Sequence, residues 1–265
     1  MNDISTAQML YLKKQKRHKY IVSFSRVLIL ILFLLLWEFT AHYEIIDSFV
    51  FSSPSKIVKC FWSMVLDKSI FSHIGITLYE TIFSFLFVIF FSILIAILLW
   101  SSQKLSDITE PYLVVLNSLP KSALAPLLIV WLGANPTTII VWGMSIALFG
   151  RIFNFYTNFV HVDEEEIKLI YTLHGNRFHV LTKVVLPSSV PAIMNMMKVN
   201  IGLCLVGVVI GEFLAAKSGL GYLIIYSSQV FKMDWLLMSI VLLCIMAMVL
   251  YTFISFIQRQ YQKRL

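Results

Sequence analysis

Long apolar runs separated by short polar breaks set the pattern of this chain. The runs predict helical spans at about 21–41, 74–100, 107–132, 136–160, 188–214 and 235–257. Each approaches or exceeds the roughly 20 residues of helix that cross a hydrocarbon core. Lipid cannot satisfy backbone N–H and C=O groups, so runs of this length imply helices that bond internally. The predicted fold class is therefore an all-α polytopic membrane protein with six transmembrane helices over residues 21–257, the core lying at about 74–257. Residues 1–20 and 258–265 form polar tails, and residues 161–187 a polar insert between the fourth and fifth spans.

Local signals refine that outline. In SSPSKIVKCFWSMV, Ser53 is a helix cap with Pro54 at the first position, and Ile57, Cys60, Phe61 and Met64 share one face. This predicts a short amphipathic helix lying along the outer interface. AAKSGLGYLIIYSSQVFKMDW is apolar but glycine-interrupted and too short to span, which predicts a re-entrant or interfacial turn packed against protein. Pro120 and Pro126 each remove a backbone hydrogen bond from the third span, read here as one kinked helix. Gly207 and Gly211 form a GxxxG pattern that admits close approach of another helix.

The insert has helical patterning of its own. Asp163 is a plausible N-cap, and Glu164, Glu165 and Glu166 place negative charge at the positive end of a helix dipole. Ile167, Ile170 and Leu173 make a short apolar stripe, and His174-Gly175 supplies a stop with glycine in the left-handed conformation. A second helical stretch from about Phe178 to Val184 turns Phe178, Leu181 and Val185 to one side, and Leu186-Pro187 redirects the chain into the fifth span. A mere connection needs neither this length nor apolar stripes, so the pattern calls for a partner surface.

Composition agrees with the membrane assignment: 59% of the 265 residues are hydrophobic and 13% charged, against about 25% charged in soluble domains. The net charge of +7 is explained by topology rather than nucleic acid, because most cations flank the spans. Lys13, Lys14, Lys16, Arg17, Lys19, Arg26, Lys104, Lys168, Arg177, Lys183, Arg259, Lys263 and Arg264 fall on one side, against Lys56, Lys59, Lys68, Lys217 and Lys232 on the other. The positive-inside rule then makes both termini and the insert cytoplasmic. KKQKRHKY ahead of the first span resembles a signal peptide, but no small-residue cleavage site follows, so the span is read as uncleaved.

Chemistry-bearing residues are few. Four ionisable side chains fall within or near spans: Lys121, Arg151, Lys198 and Glu212. Such groups normally face a bundle interior or a solute path. For Arg151 and Glu212, snorkelling to the interface is equally open. Three cations against one anion favour an anionic solute. His161, His174 and His179 near Asp163 and Glu164 match no H-E-x-x-H spacing, so no metal site is expected. Cys60, Cys204 and Cys244 show no C-x-x-C spacing, and no G-x-x-x-x-G-K-[ST] loop is present. If ATP powers this chain, another subunit hydrolyses it.

TLHGNRFHVLTKVVLPSSVPAIM resembles the EAA loop of permease subunits of binding-protein-dependent ABC importers. SPSKIV, LPKSALAPLLIVWLG and GEFLAAKSGLGYLI, in that order, resemble its nitrate/sulfonate/taurine branch, which includes permeases for thiamine-precursor pyrimidines. The resemblance covers roughly residues 50–258. It departs where Lys168 stands at the usual glutamate, Ile170 at an alanine, and His174 at the glycine, with Gly175 one place late; Glu165 or Glu166 would stand in for the missing acid.

The resemblance implies a type I importer permease fold in a bacterial cytoplasmic membrane. It implies a second permease copy, two ATPase subunits holding ATP and magnesium, and an extracytoplasmic solute-binding protein. This chain itself would hold no cofactor. In that scheme 161–187 is the coupling loop, with Glu165, Glu166, Leu173, His174, Gly175, Asn176, Arg177 and Phe178 at the ATPase surface. The expected cargo is a small organic anion, with a pyrimidine as the alternative. A transporter driven by an ion gradient through Glu212, Lys198 or Arg151 is the rival of another class.

Overall fold

The computed structural model describes residues 6–262, with side chains from residue 11 onward except that of Ser122. Lys263 and Arg264, and with them the end of the 258–265 tail, lie outside the described residues, as do residues 1–5. All regular structure among the described residues is helical. The order is α1 (Thr6–His42), α2 (Ser48–Phe51), α3 (Pro54–Leu66), α4 (Ser69–Ser101), α5 (Gln103–Ser118), α6 (Ala125–Leu132) and α7 (Pro136–Val160). There follow α8 (Glu164–Thr172), α9 (Arg177–Val180), α10 (Leu186–Ala215), α11 (Leu220–Gln229) and α12 (Met233–Gln262).

Among the described residues five helical stretches are long and apolar enough to cross a membrane: Tyr11–His42, Ser69–Ser101, Pro136–Val160, Arg177–Ala215 and Met233–Gln262. The expected third span is not one of them. Leu119, with φ −58° and ψ 135°, takes the extended conformation that a following proline favours, and α5 ends there. A 3-10 turn, Lys121–Leu124, links it to α6, which starts at Ala125 with Pro126 in its first turn. The two prolines therefore break the segment instead of bending it. The N-terminal tail also differs from expectation: α1 runs from Thr6 through the polar segment into the apolar run, since no glycine or proline interrupts it.

α4, α7 and α10 form the centre of the bundle. Gly143 of α7 lies against Ser84 of α4 and Gly207 of α10. A Cβ on Gly207 would stand 2.8 Å from the Gly143 Cα, and one on Gly143 would stand 2.7 Å from Ser84 Oγ. Ser84 Oγ donates to the Ile140 carbonyl at 3.0 Å, so this close approach also carries a hydrogen bond between helices. The second glycine of the pattern, Gly211, sits against Trp142 and Ile139 of α7. Close helix approach at GxxxG, read from the sequence, is therefore present.

The end of the bundle away from the 161–187 insert is closed by α3, α11 and α12, whose apolar faces meet α4 and α10 around Ile70, Leu220, Leu223 and Met238. α3 is the expected short amphipathic helix: Ser53 caps it, Pro54 opens it, and Ile57 and Met64 are buried. The glycine-interrupted segment folds as α11, with Leu220 and Leu223 buried, so it packs against protein as expected. α1 stands apart and exposes most of its apolar side chains, as a helix in contact with lipid does. Glu38 ties it to α3 by accepting from Ser55 N at 3.0 Å and Ser55 Oγ at 2.8 Å.

Candidate coupling loop and buried charges

The insert folds as two short helices meeting at a tight corner. Asp163 caps α8 by accepting from Glu165 N at 2.9 Å, and Glu164, Glu165 and Glu166 occupy its first turn. The corner is a Schellman-type end: Gly175 N donates to the Ile170 carbonyl at 2.9 Å and His174 N to that of Tyr171 at 3.0 Å. The left-handed residue is His174, with φ 58°, and not Gly175 as expected. Glycine is needed one place later for space, because a Cβ there would stand 2.7 Å from the Ile170 carbonyl oxygen. Asn176 then opens α9 with a capping box: its side chain accepts from His179 N at 3.0 Å, and His179 Nδ1 accepts from Asn176 N at 3.2 Å.

The stripe expected on one face is split between two. Ile167 and Ile170 pack towards a core of Ala96, Phe155, Phe159, Val180, Leu181 and Val185 at the C-terminal ends of α4 and α7. Leu173 is 70% exposed and Phe178 67%. Leu169, also exposed, lies one turn before Leu173 on the same face and was not singled out from the sequence. Phe178 is exposed, whereas Leu181 and Val185, expected on its side, are buried. Glu165, Glu166, His174 and Asn176 are exposed, and Gly175 is half-buried at the corner.

Arg177, placed at the partner surface from sequence, reaches back to its own bundle. Its Nη2 donates to the Trp100 carbonyl at 2.9 Å, and the guanidinium stacks over the Trp100 ring at 5.2 Å. The C-terminal end of α4 carries unpaired carbonyls and partial negative charge, so a cation is well placed there. Beyond α9 the chain does not turn at Leu186-Pro187. A π-helical turn, Leu181–Val185, joins α9 to α10 in one continuous rod. Pro187 cannot donate to the carbonyl four residues back, and the wider turn absorbs that missing bond.

The four in-span charges fall in different places. The one salt bridge among the described residues, Lys168–Glu164 at 3.3 Å, lies on α8, so none of the four has an ion-pair partner. Lys121 donates to the Asn117 carbonyl at 2.9 Å in the break between α5 and α6. Next to it a cavity of about 240 Å³ is lined by Asn117, Ser118, Gly150 and Asn154. Arg151 is 6% exposed and its Nε has no partner, so it does not snorkel to the interface. Lys198 is half-buried, with its Nζ 6.0 Å from the centre of the Tyr251 ring.

Glu212 does not snorkel to the interface. It is buried, accepting from Thr77 Oγ1 at 2.6 Å and Gly221 N at 2.5 Å. It fastens the turn at 216–219 and the N-terminal end of α11, where a carboxylate complements the helix dipole. Gly219, at φ 117°, and Gly221 leave it room; a Cβ on Gly221 would stand 2.7 Å from Glu212 Oε2. Its neighbour Glu80 was missed in the sequence. The signal was there: Thr77, Glu80, Thr81 and Ser84 form one polar stripe at helical spacing inside an apolar run, and all four are buried.

The chain and its fold have recognisable counterparts. Residues 88–265 match the family model described as the binding-protein-dependent transport system inner membrane component. A Haemophilus influenzae protein named a probable ABC transporter permease is 25% identical over 235 residues, 89% of this chain and 95% of that protein. The Bacillus subtilis protein named for aliphatic sulfonates transport, SsuC, is 24% identical over 86% of this chain and 83% of its own length. The formylaminopyrimidine transport permease ThiX of Halalkalibacterium halodurans is 24% identical over 74% and 77%.

Two solved structures share the fold. A bacterial ABC transporter involved in alginate import superposes with TM-score 0.66 over 94% of this chain and 99% of that one, at 14% identity. The inward-facing MetNI methionine transporter superposes with TM-score 0.62 over 76% and 97%, at 16% identity. With these matches and its multiple apolar spans, the chain belongs to the family of inner membrane components of binding-protein-dependent transport systems, as an ABC importer permease.

Proposed function

We propose that this chain pairs with a second copy of itself to form the transmembrane path of an importer. Two ATPase subunits would bind its cytoplasmic face, and an extracytoplasmic binding protein would deliver the solute from the other side. The observation that carries the reading is the two-sided insert: Ile167 and Ile170 are anchored in the bundle while Leu169, Leu173 and Phe178 are each exposed. An apolar surface of this kind on a polar loop calls for a soluble partner, and Phe178 is its natural anchor. Glu165, Glu166, His174 and Asn176 would form the polar rim, with Gly175 setting the corner. Arg177 contributes by holding α9 on α4. Both termini are then cytoplasmic, in line with the cations of residues 13–26 beside the first span.

The cargo in this reading is a small organic anion of the sulfonate, taurine or nitrate kind. Supporting it are the relative named for aliphatic sulfonates and three cations, Lys121, Arg151 and Lys198, without acidic partners. A thiamine-precursor pyrimidine is the second reading, favoured by the likeness to ThiX. ATP and magnesium would bind the partner subunits alone. Vesicles test the scheme: solute uptake should require the ATPase, ATP and the loaded binding protein together. Uptake by this chain alone, driven by an ion gradient, would instead establish a secondary transporter.

A further inference from the structure

The outer ends of α4, α10 and α11 converge on two buried carboxyl groups. Glu212 receives donors from Thr77 and Gly221, as a carboxylate should. Glu80 is 0% exposed, and neither of its oxygens meets a donor among the described residues. Glu80 lies one helical turn beyond Thr77, whose hydroxyl bonds the Glu212 carboxyl, so α4 brings the two buried carboxyls to one face of the same contact. Two anions in contact, away from water, suffer both desolvation and mutual repulsion. One proton removes both costs, because a neutral Glu80 O–H donates to Glu212. Since the two protein donors already point at Glu212, Glu80 is the member that carries the proton.

We propose that Glu80 and Glu212 form a proton-binding site, one proton shared by two carboxyls, that locks the 216–219 turn and α11 onto α4. A metal ion fits less well: the described residues contain no group of three His, Cys, Asp or Glu side chains placed to hold one. Exchange with the medium runs through a cavity of about 150 Å³ that reaches Glu80 between Asn135, Pro136, Ala216, Lys217 and Ser218. The surrounding groups are few. Lys217 stands exposed at the mouth. His73 of α4 lies against Gly219 with its Nδ1 3.1 Å from the Gly219 backbone, and α11 adds Tyr222, stacked on His73. The start of α7 contributes the neutral Asn135. Loss of the proton leaves two adjacent anions under the turn that Glu212 holds, so the outer end of the bundle loosens as the external medium becomes alkaline.

The test uses the full chain in lipid nanodiscs. The wild-type melting temperature should fall between neutral and alkaline medium, and Glu80→Gln, which keeps a donor to Glu212 but cannot ionise, should abolish that fall. Infrared spectroscopy at neutral pH should show a protonated carboxylic acid band that Glu80→Gln removes. Identical pH profiles for the two proteins would overturn the proposal. So would a stabilisation by sodium, potassium or calcium that Glu80→Gln removes, which would mark a metal-cation site. If Glu80→Gln does not insert, the wild-type spectrum decides, because Glu80 and Glu212 are the only buried acids among the described residues. An acid band that fades at alkaline pH supports the shared proton, and its absence refutes it.

Discussion

Replacing Arg177 by alanine should detach the coupling insert from the end of α4. The side chain supplies a hydrogen bond from Nη2 to the Trp100 carbonyl at 2.9 Å and a stack on the indole at 5.2 Å. A hydrogen bond from a charged donor contributes about 1.5–3 kcal/mol, and an exposed cation–π contact about 0.5–1 kcal/mol. Arg177 is exposed, so solvent competes for both and the low end applies, giving roughly 1–2 kcal/mol. That corresponds to a factor of about 5–30 in the equilibrium between docked and undocked α8–α9. Hydrogen exchange over residues 164–180 in nanodiscs reads it directly: Arg177→Ala should accelerate exchange there by about that factor, with α7 and the outer half of α4 unchanged. Arg177→Lys should fall between, since an ammonium keeps the charge but loses the planar stack. Exchange unchanged in Arg177→Ala would refute the clamp and return Arg177 to the partner surface.

Other substitutions probe separate contacts. His174→Gly should slow exchange at the corner, relieving a left-handed non-glycine residue worth about 1 kcal/mol, whereas Gly175→Ala drives a Cβ against the Ile170 carbonyl and should destabilise the corner by about 1–3 kcal/mol. Gly207→Leu should lower the melting temperature in detergent or prevent insertion, because the added side chain meets the Gly143 backbone. Glu212→Ala strands the Thr77 hydroxyl and the Gly221 N–H, at about 1–3 kcal/mol for each, and should expose α11 to proteolysis. Asp67 accepts from Ser69 N and Oγ, which hold its carboxyl below the usual range. Its contribution is complete above the unfolded carboxylate pKa and is lost as pH falls through the lower folded value. Acidification should therefore fray the α3–α4 turn, an effect that Asp67→Asn removes and that exchange at Ser69 measures.

Caps and apolar periodicity were the legible part of this chain, since they are local. Ser53-Pro54 marked the start of α3, Asp163 that of α8, and the run at 136–160 coincides with α7. Taken singly, Pro120 and Pro126 each predict only a kink, where the structure has a break at Leu119-Pro120. Two prolines six residues apart leave no room for a helical turn with its bonds intact, and that only emerges when both are considered together. Gly175 was assigned a conformational role when its constraint is spatial, set by Ile170 five residues back. Arg177 and Trp100 are 77 positions apart, as are partnerships such as Thr77 with Glu212 at 135, so no local pattern could reveal them. Glu80 escaped notice inside a strongly apolar run, although its polar neighbours at helical spacing signal a shared inward face.

The chain is a membrane bundle with one handle, the 161–187 insert, at one end. α8 and α9 are pinned by Ile167, Ile170 and Arg177, α9 continues without a turn into α10, and Leu169, Leu173 and Phe178 are exposed. Reconstituting the chain with its ATPase and binding protein, and measuring ATPase capture and solute uptake for Phe178→Glu, tests this most directly. The variant should insert and melt like wild type, since Phe178 is 67% exposed, yet lose capture of the ATPase and ATP-driven uptake. Normal capture and normal uptake in Phe178→Glu would contradict the coupling role of the insert.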